Sequence, residues 1–266
     1  MKTVIETYND RPKHTVRNVL ISIFLLALII WSIPVLQHDR FLGGAEIAKN
    51  IARAFINPSW DNIFNTRVDG IPYLMFQTVG MAVLGTLLGA ILAIPFAFLT
   101  AKNIVGKFNI IGNTIITTIR SFPFFLLLLM IIRVSGPGEF TAVLAIGILS
   151  IGMISKLYIE IIEDIDPGIL QSLDALGATR LQKIRHGILP QLSANIISVV
   201  IYRFEINVKN ATIFGIIGTG GIGTTLRLAM DAGRWRDASA ALWGIIVVVV
   251  IVDYFSTKIR KKLIDG

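Results

Sequence analysis

The chain reads as an all-α, polytopic integral membrane protein with about six transmembrane helices. Two observations carry that reading. Hydrophobic residues make up 54% of the chain and charged residues 16%, against about 25% charged in soluble domains, so water cannot be the solvent for most of its surface. The apolar residues are also gathered into long stretches, at 19–36, 71–100, 110–134, 140–162, 188–218 and 238–255. About 20 mostly apolar residues cross a hydrocarbon core as a helix.

The same composition removes whole classes of chemistry. There is no Cys, which excludes disulfides, thiolate zinc sites and a cysteine nucleophile. His14, His38 and His186 fall in three separate polar segments, so no metal site is expected. H-E-x-x-H, G-x-S-x-G and the P-loop are all missing; no catalytic residue, no cofactor and no ATP hydrolysis of the chain's own are expected. The net charge of +8 would raise nucleic acid as a partner of a soluble protein. In a membrane protein it is read as a topology signal instead, with lipid as the surrounding partner and no nucleic acid.

Taken in order, 1–18 is a cytoplasmic N-terminal segment, and 19–36 follows Arg11, Lys13 and Arg17 as a retained anchor helix. Its apolar run exceeds a signal-peptide core, and no small-x-small cleavage site follows. The segment 41–69 is an outer connection, and "AEIAKNIARAFI" within it has the spacing of a helix lying on the surface. In 71–100, Gly85, Gly89, Ala93 and Ala97 form a stripe of small residues suited to close helix contact, and Pro95 marks a kink or stop. "VSGPGEF" reads as a tight outer turn between 110–134 and 140–162. The residues 258–266 are a basic cytoplasmic tail after a spanning domain of 19–257. With both termini inside, Lys102, Lys107, Lys156, Arg180, Lys183, Arg185, Lys258, Arg260, Lys261 and Lys262 are cytoplasmic, while Arg40, Lys49, Arg53, Arg67, Arg227, Arg234 and Arg236 are outside. The bias has the direction of the positive-inside rule.

The connection 163–187 is too long for a simple turn. In "DPGILQSLDALGATRLQKIRHGILPQL", Asp166 can cap a helix that begins with Pro167, and Gly177 can end it. Ile169, Leu170, Leu173 and Leu176 would then share an apolar face, and Thr179 can cap a second helix that runs into Leu189 and Pro190. Such a loop either rests on lipid headgroups or fits a groove on another protein.

Arg203, Glu205, Asn207, Lys209 and Asn210 interrupt the fifth apolar stretch. A charge at the centre of a spanning helix costs about 2.5–3.5 kcal/mol on insertion scales, so these groups must face protein or water. Glu205 and Lys209 stand in the favourable order for a pair along a helix. Either the pair is self-neutralising and locks the helix to its neighbours, or its face lines a translocation path. Arg120, three residues before Pro123, adds to an excess of positive charge that would attract an anion; each arginine could equally snorkel or bind freed carbonyls. Further on, Gly218, Gly220 and Gly223 satisfy G-x-G-x-x-G. A dinucleotide turn needs a parallel sheet and an acidic residue at a strand end, whereas this motif sits at the outer end of a span. Gly218, Gly220, Gly221 and Gly223 are therefore read as hinge or close-contact positions near an outer gate.

"DALGA" followed by Leu189-Pro190 resembles the cytoplasmic EAA loop of ABC importer permeases. Gln171, Ser172 and Leu173 stand where that pattern has Glu-Ala-Ala, and Gly187 stands where it has Ile. "IDPG", "ALGATR", "LPQ", "RSFP" at 120–123 and, most specifically, "YRFEINVKNATIFGIIGTGGIG" at 202–223 are similar to the phosphonate-type importer permeases. The similarity covers 72–255. Lys209 departs from it: an Arg is expected there, with a planar fork that Lys lacks.

That resemblance implies a type I ABC importer permease fold in the cytoplasmic (inner) membrane, and a homodimer with the pathway between two copies. It implies a cytoplasmic ATPase docked on Gln171, Ser172, Leu173, Asp174, Ala175, Leu176, Gly177, Ala178 and Thr179, and an extracytoplasmic binding protein at the outer face. It implies a phosphonate or a related oxyanion, phosphite or phosphate, as cargo, with Arg120, Pro123, Arg203, Glu205, Asn207, Lys209 and Asn210 along the path. An amino-acid or methionine permease would share the architecture. A secondary transporter working without an ATPase is the alternative from another class.

Overall fold

Helix follows helix along the chain, and no strand occurs among the described residues. A computed structural model describes residues 15–36 and 41–265; Arg11, Lys13, His14, His38 and Arg40 lie outside them. The chain divides into two units, Met1–Asn50 and Ile51–Gly266. The first holds α1 (Thr15–Leu36) and the beginning of α2 (Phe41–Ile56). From Arg17 to Ser32 every side chain of α1 is exposed. An apolar helix that buries no face of its own suits lipid on all sides.

In the second unit, α3 (Trp60–Phe64) precedes the long α4 (Ile71–Phe98). Pro95 lies inside α4 and neither breaks nor stops it; the helix runs on to Phe98, and the Leu99 amide donates to the Pro95 carbonyl at 3.0 Å. The short α5 (Lys102–Val105) leads to α6 (Asn109–Ser121) and α7 (Phe124–Ser135). The apolar run 110–134 is thus not one straight helix. Phe122 and Pro123 are extended, and α6 and α7 meet at 84°, because Pro disfavours helical geometry in the residue before it. Gly136 and Gly138, both at positive φ, make the expected tight turn into α8 (Glu139–Glu163).

Helices α4 and α8 form the centre of this unit. A Cβ at Gly85 would lie 2.6 Å from Ile146 Cβ, and one at Gly89 would lie 2.4 Å from Ser150 Cβ. Only small residues permit this approach, and Ala93 and Ala97 continue the stripe fully buried. After α8 come α9 (Pro167–Ala175) and α10 (Arg180–Lys183). A wide turn at Ile184–Ile188 then leads into α11 (Leu189–Phe214). A second wide turn at Gly215–Thr219 precedes α12 (Gly221–Asp231) and α13 (Trp235–Asp265). α13 is longer than the apolar run 238–255 and carries helix through Lys258, Arg260, Lys261 and Lys262.

Ile71–Phe98, Glu139–Glu163 and Trp235–Leu263 are each long and apolar enough to cross a membrane, and α6–α7 and the bent pair ending in α11 bring the number to five. The remaining expected span lies in α1, whose apolar stretch Arg17–Ser32 is shorter. The segment before α4 is held to the start of α13: Ser59 N donates to Arg236 O at 3.1 Å, Asn62 Nδ2 to Asp237 Oδ1 at 2.9 Å, and Trp243 Nε1 to Phe55 O at 2.9 Å.

Candidate functional site

The loop between α8 and α11 is a capped helical hairpin. Asp166 Oδ1 accepts from the Gly168 amide at 2.8 Å, with Pro167 in the first helical turn. The far end of α9 closes on Gly177 at φ +70°, where the Ala178 amide donates to Leu173 O at 3.0 Å and the Gly177 amide to Asp174 O at 2.9 Å. This bonding satisfies the last carbonyls of the helix and needs a residue free to take positive φ. Thr179 then opens α10 with a reciprocal cap: its amide donates to Gln182 Oε1 at 2.8 Å, while the Gln182 amide donates to Thr179 Oγ1 at 3.4 Å. Gln182 is the partner the sequence reading left unassigned.

The apolar face of α9 is divided. Ile169 and Leu173 pack toward Gly187, and Leu176 turns away from them at 82% exposed. The side chain of Leu170 lies outside the described residues. Gln171, Ser172, Asp174, Ala175 and Thr179 are exposed around Leu176, and Leu181 stands nearby in sequence at 78% exposed. An ion pair between Asp174 and Lys183 ties α9 to α10.

The polar residues of α11 separate into two faces. On one, Arg203 Nε donates to Ser150 Oγ at 3.4 Å, and Asn207 Nδ2 donates to Ser150 Oγ at 2.8 Å and Thr86 Oγ1 at 2.9 Å. Arg203 is buried and Asn207 fully so; the two join α11 to α8 and α4. On the other face, Lys209 Nζ lies 3.0 Å from Glu205 Oε1, and Arg260 of α13 places Nη2 3.5 Å from Glu205 Oε2. Glu205 is buried, Lys209 half-exposed. Arg260 also lies over the Tyr202 ring, 5.4 Å from its centroid. Asn210 is partly buried. Arg120 is exposed at the end of α6, its side chain against Gly152, and makes no hydrogen bond or ion pair with Arg203, Glu205 or Lys209. Sequence reading found the Glu205–Lys209 pair and missed Arg260, Ser150 and Thr86. Polar residues isolated within apolar helices were the available signal.

The glycine segment is a tight reversal. Gly218, Gly220 and Gly221 take φ of 111°, 97° and 67°. The chain folds back so that a Cβ at Gly223 would lie 2.1 Å from Thr212 O. Thr224 Oγ1 bridges the two sides, accepting from Gly220 N at 3.1 Å and donating to Gly215 O at 2.8 Å. The first amides of α12 meet α4: Gly221 N donates to Gln77 Oε1 at 3.1 Å and Ile222 N to Thr78 Oγ1 at 3.1 Å. Gln77 in turn donates to Glu139 at the start of α8. The amides that would face a pyrophosphate in a dinucleotide site are filled by side chains, so the G-x-G-x-x-G here serves packing and reversal.

The family described as "Binding-protein-dependent transport system inner membrane component" matches residues 85–263. The phosphite transport system permease protein PtxC of Stutzerimonas stutzeri is 28% identical over 89% of this chain and 85% of its own length. The putative phosphite transport system permease protein HtxC of the same organism is 32% identical over 71% of this chain and 68% of its own. Among solved structures, the inward-facing MetNI methionine ABC transporter superposes with a TM-score of 0.64 at 18% identity, covering 71% of this chain and 93% of that one.

Proposed function

Because the chain belongs to the family of binding-protein-dependent transport system inner membrane components, we propose that it carries phosphonate or a related phosphorus oxyanion, phosphite or phosphate, across the cytoplasmic membrane. It is a multi-pass ABC importer permease of type I fold. In this proposal two copies pair around a central path, both termini face the cytoplasm, and a binding protein delivers the cargo outside. A separate ATPase grips the α9–α10 hairpin, and the permease itself makes and breaks no covalent bond. The work lies in differential affinity: ATPase and binding protein must each prefer one arrangement of the spans, or nothing moves.

The observation that carries the cargo assignment is Lys209, the half-exposed ammonium among the polar residues of α11, in a chain similar to two phosphite permeases. Lys209 supplies the exposed positive charge of the path, with Arg120 at the break before Pro123, and Glu205 orients Lys209; Arg203, buried on the opposite face, holds α11 to α8 instead. Asn207 and Asn210 belong to the same stretch. Gly218, Gly220, Gly221 and Gly223 form the bend at the outer gate.

The test is co-expression with the genes for an ATPase and a binding protein, purification, and reconstitution into proteoliposomes. ATP-driven uptake of phosphite, phosphonate or phosphate is expected, falling at least tenfold in Lys209→Gln. Uptake unaffected by Lys209→Gln would remove the role given to this residue. Methionine as the ligand of the binding protein would establish the second reading, which the likeness to a methionine transporter favours. Transport without any ATPase would point to a secondary transporter.

A further inference from the structure

Arg260 reads in the sequence as one of several basic residues in a tail, yet it is the second partner of a buried carboxylate. Glu205 takes Lys209 on Oε1 and Arg260 on Oε2. The same guanidinium lies over the Tyr202 ring, Nη2 approaches Thr257 Oγ1 at 3.4 Å, and Nε is buried without a partner. Two cations therefore share one anion. If Lys209 alone faced Glu205, the pair would be neutral and would have no attraction for an oxyanion. With Arg260 added, the cluster carries one net positive charge, and its exposed member is Lys209.

We propose that Arg260 is a positioning residue for Lys209: by occupying half of the Glu205 carboxylate it leaves the positive charge on the half-exposed ammonium. The inference rests on the reading that the Lys209 face lines the path. Its reach is set by Coulomb attraction near a surface, which at about 10 Å changes local ion concentrations by a factor of roughly two or more for each unit charge.

Because the chain has no Cys, a single reporter thiol can measure this charge without cargo, ATPase or binding protein. Ile213, one helical turn beyond Lys209 and 40% exposed, is replaced by Cys in the full chain in proteoliposomes. The rates of modification by negatively and positively charged methanethiosulfonates are then compared. The negative reagent should be favoured with Arg260 present. Arg260→Gln should lower the negative-to-positive rate ratio by about threefold or more, Arg260→Lys should restore it, and Glu205→Gln should move it in the opposite direction. A purely structural role would change both rates equally, and that result overturns the proposal. So does a thiol that neither reagent reaches, since the face would then not be lined by water. Loss of oxyanion uptake plays no part in this readout, so the cargo assignment and the charge-sharing can fail separately.

Discussion

The side chain of Leu173 lies against the bare backbone of Gly187, so closely that a Cβ at Gly187 would fall 2.6 Å from Leu173 Cδ1. The loop that this chain resembles has a small residue at the first position and Ile at the second, so the two departures compensate in volume. Gly187→Ile alone should overpack the hairpin and lower stability by about 1–3 kcal/mol. Adding Leu173→Ala should recover most of that loss. Thermal unfolding of the four proteins in detergent gives the coupling energy, and strictly additive effects would mean the two positions do not touch.

Leu176 is the apolar side chain at the end of α9 that turns away from the hairpin's own packing, 82% exposed among polar neighbours. In the proposed docking of an ATPase on this hairpin, Leu176 is the central apolar anchor and should dominate binding there. Leu176→Asp should reduce ATPase recovery in pull-down by roughly tenfold or more, which corresponds to about 1.4 kcal/mol. The melting temperature of the permease alone should hardly move, because a surface change away from caps and core stays within about 0.5 kcal/mol. Undiminished recovery would take the docking role from this residue.

What sequence reveals here is what depends on neighbours along the chain. The caps at Asp166, Gly177 and Thr179 are local, and each forms as read. The small stripe from Gly85 to Ala97 is local to one helix, and its tight contact with α8 follows from it. Pro123 was visible as a residue but not as an 84° turn, because 110–134 is apolar on both sides of it. The Arg260–Glu205 contact joins residues on two helices; it depends on how α11 and α13 slide past each other, which no local pattern encodes. The split of Arg203 and Asn207 from Glu205 and Lys209 is local by contrast, because helical periodicity alone sets the two pairs on roughly opposite faces of α11.

Asn207 holds three helices together through Thr86 and Ser150. Interhelical hydrogen bonds in membranes average about 0.6 kcal/mol and reach about 1.7, so Asn207→Ala should cost about 1–2 kcal/mol. Ser150→Ala should cost more than Thr86→Val, since it also strips Arg203 Nε of its partner. Unfolding midpoints in mild detergent check the order, and an equal effect of the last two would contradict the bond to Arg203.

The glycines of the reversal are required for different reasons, and substitution separates them. At Gly223 an added methyl meets backbone atoms, Thr212 O at 2.1 Å and Ile216 N at 2.7 Å, and neither can yield without opening the reversal. Gly223→Ala should therefore lose more than about 4 kcal/mol, the far tail of single-substitution effects, and little folded protein should reach the membrane. At Gly218 the space is open, but φ is +111°, so Gly218→Ala meets only backbone strain of about 1–3 kcal/mol. That variant should fold, dock the ATPase and transport more slowly, because the bend has been stiffened while the contacts are intact. Membrane yield, pull-down and uptake measured together decide the matter: equal yields for the two variants would mean that the close approach of Gly223 to Thr212 does not hold in the folded protein.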